Sequence, residues 1–169
     1  MTTDQSTTTG TSEPLAVGAP APDFTLADQH GESVTLSTSG ALGRNVLLVF
    51  YPFAFTGTCT GELIAMRDRL AELSNESTDL VAVSCDSMFA LRVFAEQQKL
   101  EFPLVSDFWP HGAVSSAFGV FEPSRGCAIR GTFLIDPAGI IAWRVVNAIP
   151  YGRNVDDYVA AITEVNARR

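Results

Sequence analysis

The stretch Val46-Leu47-Leu48-Val49-Phe50-Tyr51-Pro52-Phe53-Ala54-Phe55-Thr56-Gly57-Thr58-Cys59-Thr60-Gly61-Glu62 joins two unlike patterns. Its first six residues are continuously apolar, as in a central strand covered on both faces. A loop bearing Pro, Gly and Thr follows. Beyond Gly57, Leu63, Met66, Leu70 and Leu73 recur at spacings of three and four, which predicts one face of a helix ending near Ser74-Asn75. A strand that feeds a helix through a short loop is a common place for α/β proteins to do chemistry. Here the loop delivers Cys59 to the start of the helix. Amides there are unpaired, and the helix dipole favours negative charge. A thiol in that position is pushed toward thiolate, its reactive form.

Working outward, Leu80-Val81-Ala82-Val83-Ser84 reads as the next buried strand and Phe89 to Gln98 as a helix. Phe102 to Ser106 is a short strand, and His111 to Phe118 has room for one or two helical turns. Thr132 to Ile135 and Ile140 to Val145 flank Asp136-Pro137-Ala138-Gly139, a hairpin signal, and Val155 to Val165 closes the chain as a helix. Upstream, Phe24-Thr25-Leu26 and Val34-Thr35-Leu36 alternate about Asp28-Gln29-His30-Gly31, a second hairpin, with Leu42 to Asn45 as a connector. Met1 to Glu13 has almost no apolar residues and reads as a flexible tail, leaving residues 14–169 as one domain. The alternation predicts an α/β protein with a central mixed sheet and helices on both faces. With its terminal hairpin, this is the thioredoxin-like plan with an N-terminal β-hairpin extension.

The 169 residues are 46% hydrophobic, enough for a packed core, and carry a net charge of -8. That charge argues against nucleic acid and against docking on an anionic membrane. No apolar run approaches the roughly 20 residues that span a bilayer. Three cysteines without a signal-peptide pattern predict free thiols in a reducing compartment, the cytoplasm. Two histidines, His30 and His111, without paired Cys/His spacing offer no metal site, and Gly40-Ala41-Leu42-Gly43 precedes its strand, so it is no nucleotide loop. No cofactor is expected.

Within the loop, Cys59 is the candidate nucleophile. Thr56 can turn its hydroxyl toward the sulfur or a bound oxygen. Pro52 has no N–H, so it can shield a thiolate without quenching it. Glu62 lies one helical turn after Cys59. Its carboxylate would oppose a thiolate unless it orients a cation, and Arg130, just before Thr132-Phe133-Leu134-Ile135, is the best one available.

Pro52, Thr56 and Cys59 reproduce the peroxiredoxin signature Pro-x-x-x-Thr-x-x-Cys. The segment Arg130-Gly131-Thr132-Phe133-Leu134-Ile135-Asp136 and the lead-in Gly18-Ala19-Pro20-Ala21-Pro22-Asp23-Phe24-Thr25-Leu26 match two further segments of that family. The resemblance spans roughly Val17 to Val145. Ala54 to Leu63 and Ser106 to Gly112 are similar to the AhpE-type one-cysteine peroxiredoxins of actinobacteria. The resemblance implies a thiol peroxidase. Cys59 would attack a hydroperoxide and become a sulfenic acid, Thr56, Arg130 and nearby amides would hold the peroxide oxygens, and Glu62 would support them. It also implies a homodimer and an external reductant, either mycothiol with a mycoredoxin or thioredoxin.

Cys85, at the end of a strand, and Cys127, three residues before Arg130, read as inert space-filling thiols, although a part in resolving the sulfenic acid stays open. Neither matches a resolving position, and residue 64, where one group of two-cysteine peroxiredoxins keeps its partner, is Ile. Two other functions compete. A thiol-disulfide oxidoreductase needs Cys-x-x-Cys, but here Thr56 holds the first position. A peroxide-sensing redox switch shares the first chemical step with a peroxidase.

Overall fold

The computed structural model describes residues 13–169. The flexible tail expected over Met1 to Glu13 lies outside them, apart from Glu13. The first hairpin is present as β1 (Thr25–Ala27) and β2 (Ser33–Thr35), antiparallel with Leu26 opposite Val34. The organising stretch forms β3 (Asn45–Phe50), every residue of it buried. Next come β4 (Thr78–Ser84) and β5 (Leu104–Ser106), both parallel to their neighbours, then β8 (Arg130–Ile135) and β9 (Ile141–Asn147), which are antiparallel. The order β5-β4-β3-β8-β9 puts β3 at the centre of a mixed five-stranded sheet. A two-stranded ribbon, β6 (Phe121–Glu122) with β7 (Cys127–Ala128), precedes β8.

Successive residues of a strand face opposite sides of the sheet, so β3 feeds two cores. Leu47, Val49 and Tyr51 join Leu63 and Met66 of α2 (Gly57–Asp68), Leu73 of α3 (Leu70–Leu73), Phe94 of α4 (Met88–Gln98) and Ile162 of α6 (Val155–Ala167). Val46, Leu48 and Phe50 join Leu36 of α1 (Leu36–Ala41), Phe118 at the end of α5 (Ala113–Ala117), and Leu26 and Val34 of the first hairpin. Helices therefore cover both faces. Each fully buried Leu or Phe contributes roughly 1.5–3 kcal/mol, and these two layers hold the end of β3 still beneath the loop that follows it.

One local expectation needs correction, and two elements are ones the sequence did not announce. The helix after Cys59 does not run unbroken to Ser74: it stops at Arg69 (φ -120°, ψ 29°) and resumes as the single turn α3. Arg69 leaves the helical path while its side chain pairs with Glu72 and Asp156. Residues before the Leu42 connector form α1, which has no apolar periodicity to announce it. It is held from outside, by Asp23 accepting from the Ser37 amide at 3.0 Å and Ser39 donating to Asp79 at 2.7 Å. The β6–β7 ribbon is too short for an alternation signal.

Candidate active site

The three parallel strands β3, β4 and β5 end on one edge, and the loop Pro52–Thr56 leaves that edge from β3. Thr56 is the N-cap of α2, yet its hydroxyl does not cap the helix. It donates instead to the Phe53 carbonyl at 2.8 Å, closing a tight turn in which Phe55 takes φ 68°. The first amides of α2 thus stay free of a side-chain cap, and Cys59 lies in that first turn. With its proton committed to Phe53, Thr56 Oγ1 can only accept a hydrogen bond from a molecule at the site. Pro52 is buried and Thr56 exposed, so the loop has an inner and an outer edge.

Cys59 is fully buried. Arg130, the first residue of β8, brings Nη1 to 3.4 Å from Cys59 Sγ, across 71 positions of sequence. The same nitrogen pairs with Glu62, and Arg130 Nε donates to the Ile149 carbonyl at 2.6 Å. Cys59, Glu62 and Arg130 are therefore brought together, with Pro52 and Thr56 on the loop leading into them.

Sequence reasoning missed Arg153. It lies between β9 and α6 with its side chain 2% exposed. Its backbone N–H donates to Glu62 Oε2 at 2.8 Å, its Nε to the same oxygen at 2.9 Å, and its Nη2 to Oε1 at 3.1 Å. Its Nη1 reaches Thr132 Oγ1 at 3.0 Å. Burial alone would raise the Glu62 pKa. The hydrogen bonds and charge of Arg153, with the charge of Arg130, overturn that and hold the carboxyl below its usual range. One carboxylate facing two guanidiniums leaves a net positive charge beside the sulfur. No local motif marks Arg153. The sequence signal at Glu62, a carboxylate one turn past Cys59, called for a cation and was met by Arg130, so nothing in it pointed to a second one.

Among the described residues, neither of the other two cysteines has an arginine within hydrogen-bonding distance of its sulfur. Burial, then the charge of Asp107, pushes the Cys85 thiol up to about 12, and burial pushes Cys127 up to about 11. Both are protonated at neutral pH. Cys85 Sγ has Ser115 Oγ 3.9 Å away and Cys127 is fully enclosed. All three cysteines are free.

Residues 17–144 match the AhpC/TSA family. Alkyl hydroperoxide reductase E of Mycobacterium tuberculosis is 53% identical over 128 residues, covering 75% of this chain and 82% of that protein. Peroxiredoxin 1 of Brugia malayi is 37% identical over 153 residues, covering 85% of this chain and 66% of that one. Among solved structures, the peroxidoxin BcpB of Mycobacterium tuberculosis superposes with a TM-score of 0.79 at 29% identity, over 89% of this chain and 98% of that one. The reduced 2-Cys peroxiredoxin of Plasmodium vivax gives 0.81 at 26% identity, over 91% and 83%. With a cysteine at a helix start under an arginine, on a thioredoxin-like sheet, the chain belongs to the AhpC/TSA family and is a peroxiredoxin, an enzyme that reduces peroxides at the expense of a thiol.

Proposed function

We propose that Cys59 is the nucleophile of a one-cysteine peroxidase acting on hydrogen peroxide and organic hydroperoxides. The observation that carries this is Arg130 Nη1 at 3.4 Å from Cys59 Sγ, at a helix start whose N-cap side chain leaves the first amides free. In the first step the thiolate attacks the terminal peroxide oxygen. The S–O bond forms, the O–O bond breaks, and the leaving oxygen takes up a proton to depart as water or an alcohol. Arg130 and the amides stabilise charge as it moves to that oxygen, and Thr56 Oγ1 accepts from the peroxide hydroxyl. Pro52 shields the sulfur from water, and Glu62 fixes the Arg130 guanidinium.

The sulfenic acid is then resolved from outside. An external thiol displaces water to form a mixed disulfide, and a second thiol releases Cys59. In keeping with the likeness to actinobacterial proteins, the reductant is mycothiol with a mycoredoxin, or thioredoxin. Three unpaired cysteines suit the reducing cytoplasm. The protein acts as a homodimer. Supporting this, the large apolar side chains of Phe53, Phe55, Phe108 and Trp109 stand exposed on the loops that follow β3 and β5. Stopped-flow oxidation by hydrogen peroxide and by an organic peroxide, followed by recycling with each thiol, tests the reading. Many turnovers are expected with excess thiol. A single oxidation that persists until one partner resolves it would make the protein a sensor instead.

A further inference from the structure

The loop between β3 and α2 must hold a shape that it would not adopt alone. Phe55 occupies the left-handed region at φ 68°, unusual for a residue with a side chain. The ends of the loop are held by regular structure. The Tyr51 amide donates to Val83 in the sheet at 3.0 Å, and the Thr60 amide donates to Thr56 in the first turn of α2 at 2.9 Å. The middle has no such support. Ala54 is buried, so its N–H is closed off from water and requires an acceptor. That acceptor is Asp86 Oδ2, at 2.9 Å. Among the described residues it is the only hydrogen-bonding partner from outside the loop for residues 52–55.

Asp86 is itself immobilised. It lies two residues past the end of β4, and its Oδ2 also accepts from Ser84 Oγ at 2.7 Å. Its backbone N–H donates to Ser84 Oγ at 3.3 Å, and its carbonyl accepts from Ser106 Oγ of β5 at 2.6 Å. A carboxylate tied to the ends of two strands thus grips the loop leaving the third.

We propose that Asp86 is a positioning residue for the peroxide step. By holding the Ala54 amide it splints the Pro52–Thr56 turn, so that Pro52 and Thr56 stand in register with Cys59. The inference rests on the peroxidase reading and adds a residue that does not touch substrate.

The test compares Asp86→Ala, which removes the acceptor, with Asp86→Asn, which keeps an oxygen for Ala54 and Ser84. The second-order rate of Cys59 oxidation by hydrogen peroxide should fall about tenfold or more in Asp86→Ala. In Asp86→Asn it should stay within about threefold of the parent, one weakened hydrogen bond's worth. The companion readout is alkylation by iodoacetamide at neutral pH. Cys59 should react at the parent rate in both variants, while Cys85 and Cys127 stay protected. A parent peroxide rate in Asp86→Ala would overturn the proposal. So would equal slowing in the Asn variant, or alkylation of Cys85 and Cys127, which marks general loosening. If Asp86→Ala does not fold, Asp86→Ser, whose shorter side chain cannot reach the Ala54 amide, takes its place, and an unchanged peroxide rate in it would likewise overturn the proposal. A parent protein that does not react with peroxide would strike the peroxidase reading itself, a separate result.

Discussion

Glu62 puts a negative charge one helical turn from the Cys59 sulfur, and alone it would oppose a thiolate there. Its side chain is 9% exposed and those of Arg130 and Arg153 are 3% and 2% exposed, so three ionised groups are buried together. Burial is costly for each, and removing one partner from such a set leaves the others uncompensated. Glu62→Gln should therefore destabilise the protein by about 3 kcal/mol at neutral pH. The folded-state pKa of Glu62 lies below its ordinary 4.5, so its ionic contribution is present above that value and is lost as pH falls through the folded pKa. Denaturation midpoints of parent and variant should differ most near pH 7 and converge in acid. A constant difference across that window would show that the charge is not what stabilises. Thr56 separates hydrogen bonding from packing. Thr56→Ser keeps both the bond to Phe53 and a free lone pair and should retain most peroxide reactivity, whereas the isosteric Thr56→Val should lose most of it. Equal loss in stopped-flow measurements would assign Thr56 to packing.

The elements were legible to different degrees for physical reasons. β3 and the hairpin β8–β9 carry their patterns in neighbouring residues, because a buried strand needs apolar side chains on every position and a hairpin needs turn residues between. The break at Arg69 is invisible to periodicity, since Leu70 and Leu73 continue the spacing of Leu63 and Met66 across it. α1 is fastened by Asp23, ahead of β1, and by Asp79 of β4. The segment before β1 is placed in the same way. Arg144 of β9 donates to the carbonyls of Pro14 and Leu15 at 2.7 Å each, and the Leu15 amide donates to Phe118 at 3.1 Å. Gly119 permits this: it has φ 73°, and a Cβ there would stand 2.1 Å from the Glu13 carbonyl oxygen. Gly119→Ala should cost about 2 kcal/mol or more, from backbone strain together with displacement of residues 13–15. Chemical denaturation would measure the loss, and limited proteolysis should show new cleavage near Glu13.

Across the whole molecule, Cys59 is the cysteine with an arginine at its sulfur, Arg130 Nη1 at 3.4 Å. Cys85 at about 12 and Cys127 at about 11 stay protonated throughout the physiological range, so neither is a ready nucleophile toward a sulfenic acid on Cys59. Intact mass after one equivalent of peroxide should rise by one oxygen, trapped at Cys59 by a sulfenate reagent. The Cys85→Ser/Cys127→Ser double variant should consume peroxide at nearly the parent rate with an external thiol. Excess peroxide should carry Cys59 on to sulfinic acid, since no internal disulfide intercepts it. A loss of two hydrogens, with Cys59 cross-linked to Cys85 or Cys127 in a peptide map, would instead establish internal resolution.

The sequence by itself determined the strand–loop–helix unit, the place of Cys59 at the helix start, the mixed sheet and the need for a cation near Glu62. Each is written in residues a few positions apart, where spacing maps directly onto a strand or helix face. Tertiary structure alone added Arg153 to the Arg130 read from the sequence, and alone decided what holds the loop. Arg130 and Arg153 lie 68 and 91 positions from Glu62, and Asp86 lies 32 from Ala54. Those contacts exist because β8 pairs with β3, because the chain from β9 to α6 passes over the start of α2, and because β4 ends beside β3 with β5 beside β4. No local pattern encodes partners supplied by the order of strands in a sheet.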